Sequence, residues 1–218
     1  RSILVDCFSE AESAGWIPRG TNPAEIIKAP KPITKRSRLT LKNFQTVLDH
    51  STGWARTALL LALITGQRVS DIAEMTYEKS HGGFLHVEQI KTRHRVRIPL
   101  ELSLLGYSLR DVIKQSRKIV GAKHIVHQTE KTARSQPGQG LRKESIGREF
   151  TTLLRAHVKP DWEGTPPTFH EIRALSKQLH TANGIDTLAL LGHDSEETGR
   201  IYSDPRGGWV EVKIPKSA

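Results

Sequence analysis

The sequence predicts an α+β fold, a mainly helical domain built around one small antiparallel sheet. Three observations carry this. Trp54 to Ile64 is strongly apolar, as a helix inside a core must be. Phe84 to Ile90 and Arg95 to Leu100 alternate around Lys91-Thr92-Arg93-His94, which is a β-hairpin pattern. On both sides of that hairpin the apolar residues return at helical spacing.

In chain order, Ile3 to Ala14 reads as an amphipathic helix with Ile3, Leu4, Cys7, Phe8 and Ala11 on one side, and Gly15 stops it. Pro18 to Lys35 holds four prolines and no periodicity, which marks a linker. Lys28, Lys31, Lys35, Arg36, Arg38 and Lys42 concentrate positive charge there: either a solvated connector or an arm lying against phosphates. Thr40 is placed to cap a helix over Leu41 to Leu48. Gly66 breaks the apolar helix, and Val69, Ile72 and Met75 restart a helical face. In the hairpin, Leu85 and Val87 should face Val96 and Ile98. Leu109 to Val120 predicts a helix ended by Gly121, and His124 to Gln128 a short strand. Thr129 to Gly140 is a polar loop. Lys143 to His157 predicts a helix with Ile146, Phe150, Leu153 and Leu154 inward.

After Pro166-Pro167, Thr168 and Glu171 have capping-box spacing. A helix should start there, burying Ile172, Leu175 and Leu179. Gly184 breaks the pattern, and Ile185 to Leu191 forms another short apolar helix. Asp194 or Ser195 can cap a last helix reaching towards Tyr202. Pro205 to Gly208 is a turn. From about residue 208, Val210, Val212 and Ile214 alternate with Trp209, Glu211 and Lys213 as a tail strand, which should find a partner on its own sheet or on a neighbour.

Composition bounds the function. The 218 residues suffice for one domain plus a fragment, and a chain whose first residue, Arg1, lies within a helical pattern is expected to be a piece of a longer protein. Apolar residues make up 36% and charged residues 26%, enough for a packed core under a very wet surface. A net charge of +10 and a pI near 9.9 favour a polyanionic partner, nucleic acid first, although a merely soluble basic protein has the same charge. Cys7 is the only cysteine, which excludes an intrachain disulfide and a multi-cysteine metal site. The ten histidines form no His-Glu-x-x-His or comparable cluster, so no metal is expected. No stretch is long and apolar enough to span a bilayer, and no signal peptide opens the chain.

The chemistry-bearing residues are cations. His170, Arg173 and Lys177 share one helical face near a helix N-terminus, where anions are favoured. Arg68 follows the glycine break, and Asp71, three residues on, can pair with it or with another cation and orient it. Lys91 and Arg93 sit at the hairpin tip, and spacing alone does not choose between them. His193 follows Gly192. Of three tyrosines, Tyr77 and Tyr107 lie at the ends of core helices, while Tyr202 sits in a polar segment before a flexible turn. Singly, each has an ordinary reading: a solvated face, a routine ion pair, a surface lysine, a buried histidine bonded to backbone. Cleaving a phosphodiester needs a nucleophile, stabilisation of growing negative charge and a proton for the leaving oxygen. Two guanidiniums, each donating two hydrogen bonds, suit phosphate oxygens in a way lysine does not.

Together, Thr65-Gly66-Gln67-Arg68-Val69-Ser70-Asp71, Gln89-Ile90-Lys91-Thr92, His170-Glu171-Ile172-Arg173, Leu190-Leu191-Gly192-His193 and Tyr202 resemble the tyrosine recombinases, and the lambda type of phage integrase catalytic domain most closely. The resemblance covers the chain from about Arg36 to the end. It implies a tyrosine recombinase fold over residues 38–218, a basic linker over 17–37, and in residues 1–16 the last helix of a truncated core-DNA-binding domain. It selects Lys91 as general acid, His170 as base, His193 as a contact to the scissile phosphate and Tyr202 as nucleophile, with Arg68 and Arg173 as the clamp and Asp71 in support. It implies a 3′-phosphotyrosyl intermediate without metal or cofactor. The implied partners are double-stranded DNA attachment sites, a tetramer assembled on DNA, and accessory DNA-bending and directionality proteins, all in the bacterial cytoplasm with the nucleoid. The competing classes are a type IB topoisomerase-like enzyme with the same chemistry and a non-catalytic basic DNA-binding module.

Overall fold

The computed structural model describes residues 2–26, 37–132, 135–162, 164–192 and 209–215. The chain divides into two compact units, Arg1–Lys35 and Arg36–Ala218. In the first, α1 (Ser2–Ser13) is followed by α2 (Pro23–Ile26), a helical turn inside the stretch expected to be plain linker. The local chemistry accounts for it. Asn22 Oδ1 accepts the Ala24 N–H at 3.0 Å, and Pro23 takes the first helical position, where a missing N–H does no harm. Asn22 Nδ2 donates to the Val5 carbonyl at 3.1 Å, folding the turn back on α1. On the expected apolar side of α1, Ile3, Leu4 and Cys7 are exposed.

In the second unit the helices are α3 (Leu41–Asp49), α4 (Gly53–Thr65), α5 (Val69–Ala73), α6 (Leu109–Ser116), α7 (Lys143–His157), α8 (Glu171–Ala182) and α9 (Thr187–Leu191). The strands are β1 (Ser80–His81), β2 (Phe84–Glu88), β3 (Arg95–Pro99), β4 (Ser103–Leu104), β5 (Tyr107–Ser108) and β6 (Val210–Glu211). Thr40 Oγ1 accepts the Asn43 N–H at 3.2 Å and starts α3. Helix α4 is buried from Ala58 to Thr65 and packs against α5, α6, α7 and α8. Its all-round apolarity is what such a position demands, and each fully buried leucine contributes roughly 1.5–3 kcal/mol.

The sheet has the order β1-β2-β3-β6. Leu85 pairs with Ile98 and Val87 with Val96, and all four are buried, as their alternation requires. The tail strand β6 runs parallel to β3, with Val96 opposite Val210. The Val212 N–H donates to the Arg97 carbonyl at 3.0 Å and its side chain is fully buried. The tail therefore packs on its own sheet, while Ile214 remains exposed.

Several boundaries differ from the sequence reading. Leu105 and Gly106, with φ of 52° and 81°, make a two-residue turn between β4 and β5. Tyr107 thus belongs to a hairpin, and Ser108 caps α6 by accepting the Asp111 N–H at 3.1 Å. Helix α6 ends at Ser116 rather than Val120, whose side chain is fully exposed and has no core to reach. Among the described residues, His124 to Gln128 forms only the isolated bridges Thr76–His124 and His127–Gly140, with Ile125 and Val126 both buried. Helix α7 has the predicted bounds, with Ile146, Phe150 and Leu154 buried. Helix α8 takes His170, not Thr168, as its N-cap. Helix α9 starts at Thr187 because Asp186 accepts the N–H groups of Leu188 and Ala189 at 2.9 and 3.1 Å. The expected helix towards Tyr202 and the Pro205–Gly208 turn lie outside the described residues.

Candidate active site

The site grows from the break after α4. Gly66 caps that helix in the left-handed region, with φ of 62°. A Cβ there would come within 2.6 Å of Leu191 Cδ2 and 3.0 Å of Ser176 Oγ, so the position needs glycine for both conformation and space. The chain then extends through Gln67 and restarts as α5, with Arg68 at its N-cap. Asp71 reaches back to the Arg68 N–H at 3.3 Å. Its other oxygen accepts the Ile90 N–H at 2.9 Å. Asp71 therefore ties together two backbones. Buried and acceptor-only, it fixes the hairpin tip to the Arg68 turn.

The tip itself is short. Gln89 N–H donates to the His94 carbonyl and Arg93 N–H to the Gln89 carbonyl, both at 2.8 Å. Arg93 turns the chain with φ of 59°. Lys91 is exposed between two anchored neighbours, Ile90 held by Asp71 and Thr92, whose Oγ1 donates to Gln89 Oε1 at 2.7 Å. Its stem is free to extend while its Cα is fixed.

From α8, Arg173 enters the same place. It is buried, not on a solvated face, and donates from Nη1 to the Gly66 carbonyl and from Nη2 to the Leu191 carbonyl, both at 2.7 Å. Burial and, to a lesser extent, the nearby Arg68 charge lower its pKa to about 10, with Asp71 opposing both. The group is still a cation at neutral pH. Two like charges held together repel, and an arriving phosphate relieves that repulsion. Arg68 is half-buried and donates from Nη1 to Gln89 Oε1 at 2.9 Å. His170, at the α8 N-cap, is exposed and three residues before Arg173.

The turn after α9 closes the site. Gln67 Nε2 donates to the Leu190 carbonyl at 2.7 Å, and Gln89 Nε2 to the Leu191 carbonyl at 2.9 Å. Gly192, with φ of 60°, lets the chain pass against Gln89 and His94, where a Cβ would sit 3.0–3.2 Å from their side chains. His193 follows directly in sequence.

The fold thus brings Arg68, Arg173, the Lys91 turn and the 191–192 turn to one locus, with His170 at the head of α8. His193 and Tyr202 lie outside the described residues, as do Lys28, Lys31, Lys35 and Arg36 of the basic linker. Arg38 is described, and its guanidinium bonds Glu171 at 3.2 Å, beside His170. The sequence reading gave Gln67 and Gln89 no role. Both stand in the stretches that carry Arg68 and Lys91, but a glutamine's partners are not legible from its neighbours.

A cationic locus on this architecture matches known proteins. The phage integrase family model matches residues 37–207. The chain belongs to the phage integrase family. Prophage integrase IntE of Escherichia coli (strain K12) is 38% identical over 221 residues, covering 98% of this chain and 59% of that protein. A lambda integrase dimer bound to a COC′ core site matches with a TM-score of 0.76 and 34% identity, over 90% of this chain and 71% of that one. A lambda integrase tetramer bound to a Holliday junction gives 0.76 and 34%, over 89% and 57%. This integrase-family chain spans about three-fifths of the length of the curated relatives it matches.

Proposed function

We propose that the chain is the catalytic part of a metal-independent, site-specific DNA recombinase that integrates or excises phage DNA. In this reading the Tyr202 hydroxyl attacks the scissile phosphorus and its proton passes to His170. The bond from phosphorus to the 5′-oxygen breaks, and Lys91 protonates that oxygen as it leaves. A 3′-phosphotyrosyl link and a free 5′-hydroxyl result. Attack by another strand's 5′-hydroxyl reverses the step and exchanges strands. Arg68 and Arg173 stabilise the charge on the non-bridging oxygens, and His193 contacts the same phosphate. Asp71 supports the clamp from behind, through the backbone.

The observation that carries this reading is the meeting of Arg173, on the Gly66 and Leu191 carbonyls, with Arg68 and the Lys91 turn, which reach the same Leu191 carbonyl through the Gln89 side chain. The partner is double-stranded DNA carrying attachment sites, with Lys28, Lys31, Lys35, Arg36 and Arg38 along its phosphates. The lambda integrase structures on a core site and on a Holliday junction support assembly of four protomers on DNA. Accessory DNA-bending and directionality proteins complete the set, in the bacterial cytoplasm with the nucleoid. Among the described residues no helix is long and apolar enough to cross a membrane.

The test is covalent trapping on a nicked core-site duplex in EDTA. The parent chain should form a protein–DNA adduct and Tyr202→Phe none. Equal trapping by the phenylalanine variant would move the nucleophile elsewhere, and loss of trapping in EDTA would restore a metal mechanism.

A further inference from the structure

We infer that Gln89 is a positioning residue that couples the Arg68 guanidinium, the Lys91 turn and the 191–192 turn into one unit. The inference rests on the proposed reaction for its consequence, but not for its geometry. The Gln89 side chain is fully buried at the end of β2, and all four hydrogen-bonding positions of its amide are used. Oε1 accepts from Arg68 Nη1 at 2.9 Å and from Thr92 Oγ1 at 2.7 Å. Nε2 donates to Gln67 Oε1 at 2.7 Å and to the Leu191 carbonyl at 2.9 Å. A flipped amide would set Nε2 against a guanidinium, which only donates, and Oε1 against a carbonyl, which only accepts. The network therefore permits one orientation.

Each bond reaches a different part of the site. Through Arg68, Gln89 sets the plane of one half of the phosphate clamp. Thr92 carries the constraint to the residue after Lys91. Leu191 connects it to the carbonyl that also accepts Arg173 Nη2 and that stands two residues before His193. Gln67 adds a second hold, since its Nε2 bonds the Leu190 carbonyl. Three stretches of the chain, 67–68, 89–92 and 191, thus share one buried amide, and such a group couples rather than merely packs.

The test is Gln89→Met in the full chain, a substitution of similar volume without hydrogen bonds. Hydrogen exchange should quicken in peptides spanning 89–93 and also 187–192, a readout that does not need activity. Single-turnover cleavage of the nicked duplex should slow by about 30–100-fold while DNA affinity stays within about 3-fold. In an Arg68→Ala background the same change should add less than about 3-fold, because the path to the clamp is already cut. Faster exchange confined to the hairpin peptides, parental cleavage by Gln89→Met, or equal losses in both backgrounds would each overturn the inference. Thr92→Val, at an exposed position, guards against misfolding. It should slow cleavage about 3–10-fold, and a substrate with sulfur in place of the leaving 5′-oxygen, which departs without a proton, should restore the rate. A Thr92→Val chain that cleaves like the parent would remove the link to Lys91. If the parent chain forms no adduct, the proposed function fails, and the exchange data still decide the coupling.

Discussion

Arg173 donates its Nη1 hydrogen to the Gly66 carbonyl at 2.7 Å, so the second arginine of the proposed clamp is held by the same break that launches the first. The Leu191 carbonyl takes Nη2 at the same distance and completes a two-point hold on the guanidinium plane. Arg173→Lys keeps the charge but has one nitrogen for two diverging carbonyls. DNA affinity should change less than about 3-fold, while single-turnover cleavage falls about 100-fold. Retained cleavage would mean that the phosphate is clamped elsewhere.

Gly66 itself should tolerate no side chain. Alanine would need φ of 62° and a Cβ within 2.6 Å of Leu191 Cδ2. Left-handed strain and overpacking each cost about 1–3 kcal/mol. Gly66→Ala should therefore lower urea-unfolding stability by at least about 2 kcal/mol. Gly82→Ala is the control: its φ is also positive, 61°, but a Cβ there meets nothing within 4 Å, so only the strain should appear. Equal losses at the two positions would show that the packing against Leu191 does not matter.

These two residues also show what was legible in the sequence. The Gly66 break, the Leu85–Val87 and Val96–Ile98 faces and the bounds of α7 follow from local pattern, because a period of 2 or 3.6 needs no knowledge of distant residues. Arg173 read as part of a charged face with His170 and Lys177. The carbonyls that draw it inward lie 107 and 18 positions away and belong to backbone, which sequence pattern does not record. Gln67 and Gln89 meet across 22 positions for the same reason. The β4–β5 hairpin was missed because Leu105 occupies a left-handed turn position that normally signals itself with Asn, Asp or Gly. The parallel pairing of β6 with β3 joins Arg97 and Glu211, 114 positions apart, and alternation alone names no partner strand.

The tail should be held by its buried valine rather than by its ion pair. Arg97 and Glu211 are 2.9 Å apart, but their side chains are 37% and 45% exposed, so the pair contributes at most about 1 kcal/mol. Val212 is fully buried, and Val212→Ala should cost about 1–3 kcal/mol. Thermal melts of Glu211→Ala and Val212→Ala at low and high salt separate the two. A larger loss for Glu211→Ala, or one that high salt abolishes, would reverse the ranking.

His180 should make the fold acid-sensitive. It is fully buried on α8, and its Nε2 lies 2.8 Å from the Ile64 carbonyl. That carbonyl can only accept, so Nε2 carries the hydrogen. Nδ1 is buried with no hydrogen-bond partner among the described residues. Protonating the ring would place a hydrogen on Nδ1 with nothing to receive it. Burial accordingly lowers the His180 pKa from its ordinary 6.5, with the Ile64 bond opposing the shift. The sign follows from linkage. Below pH 6.5 the unfolded chain binds a proton that the folded chain refuses, so stability falls as pH drops from 6.5 towards the folded pKa, by up to about 1.4 kcal/mol per pH unit. His180→Gln keeps a donor for Ile64 and has no proton to gain. Its stability should be lower than the parent's at pH 7.5 but flatter between pH 6.5 and 5. Parallel pH profiles for the two proteins would assign the acid sensitivity to another group.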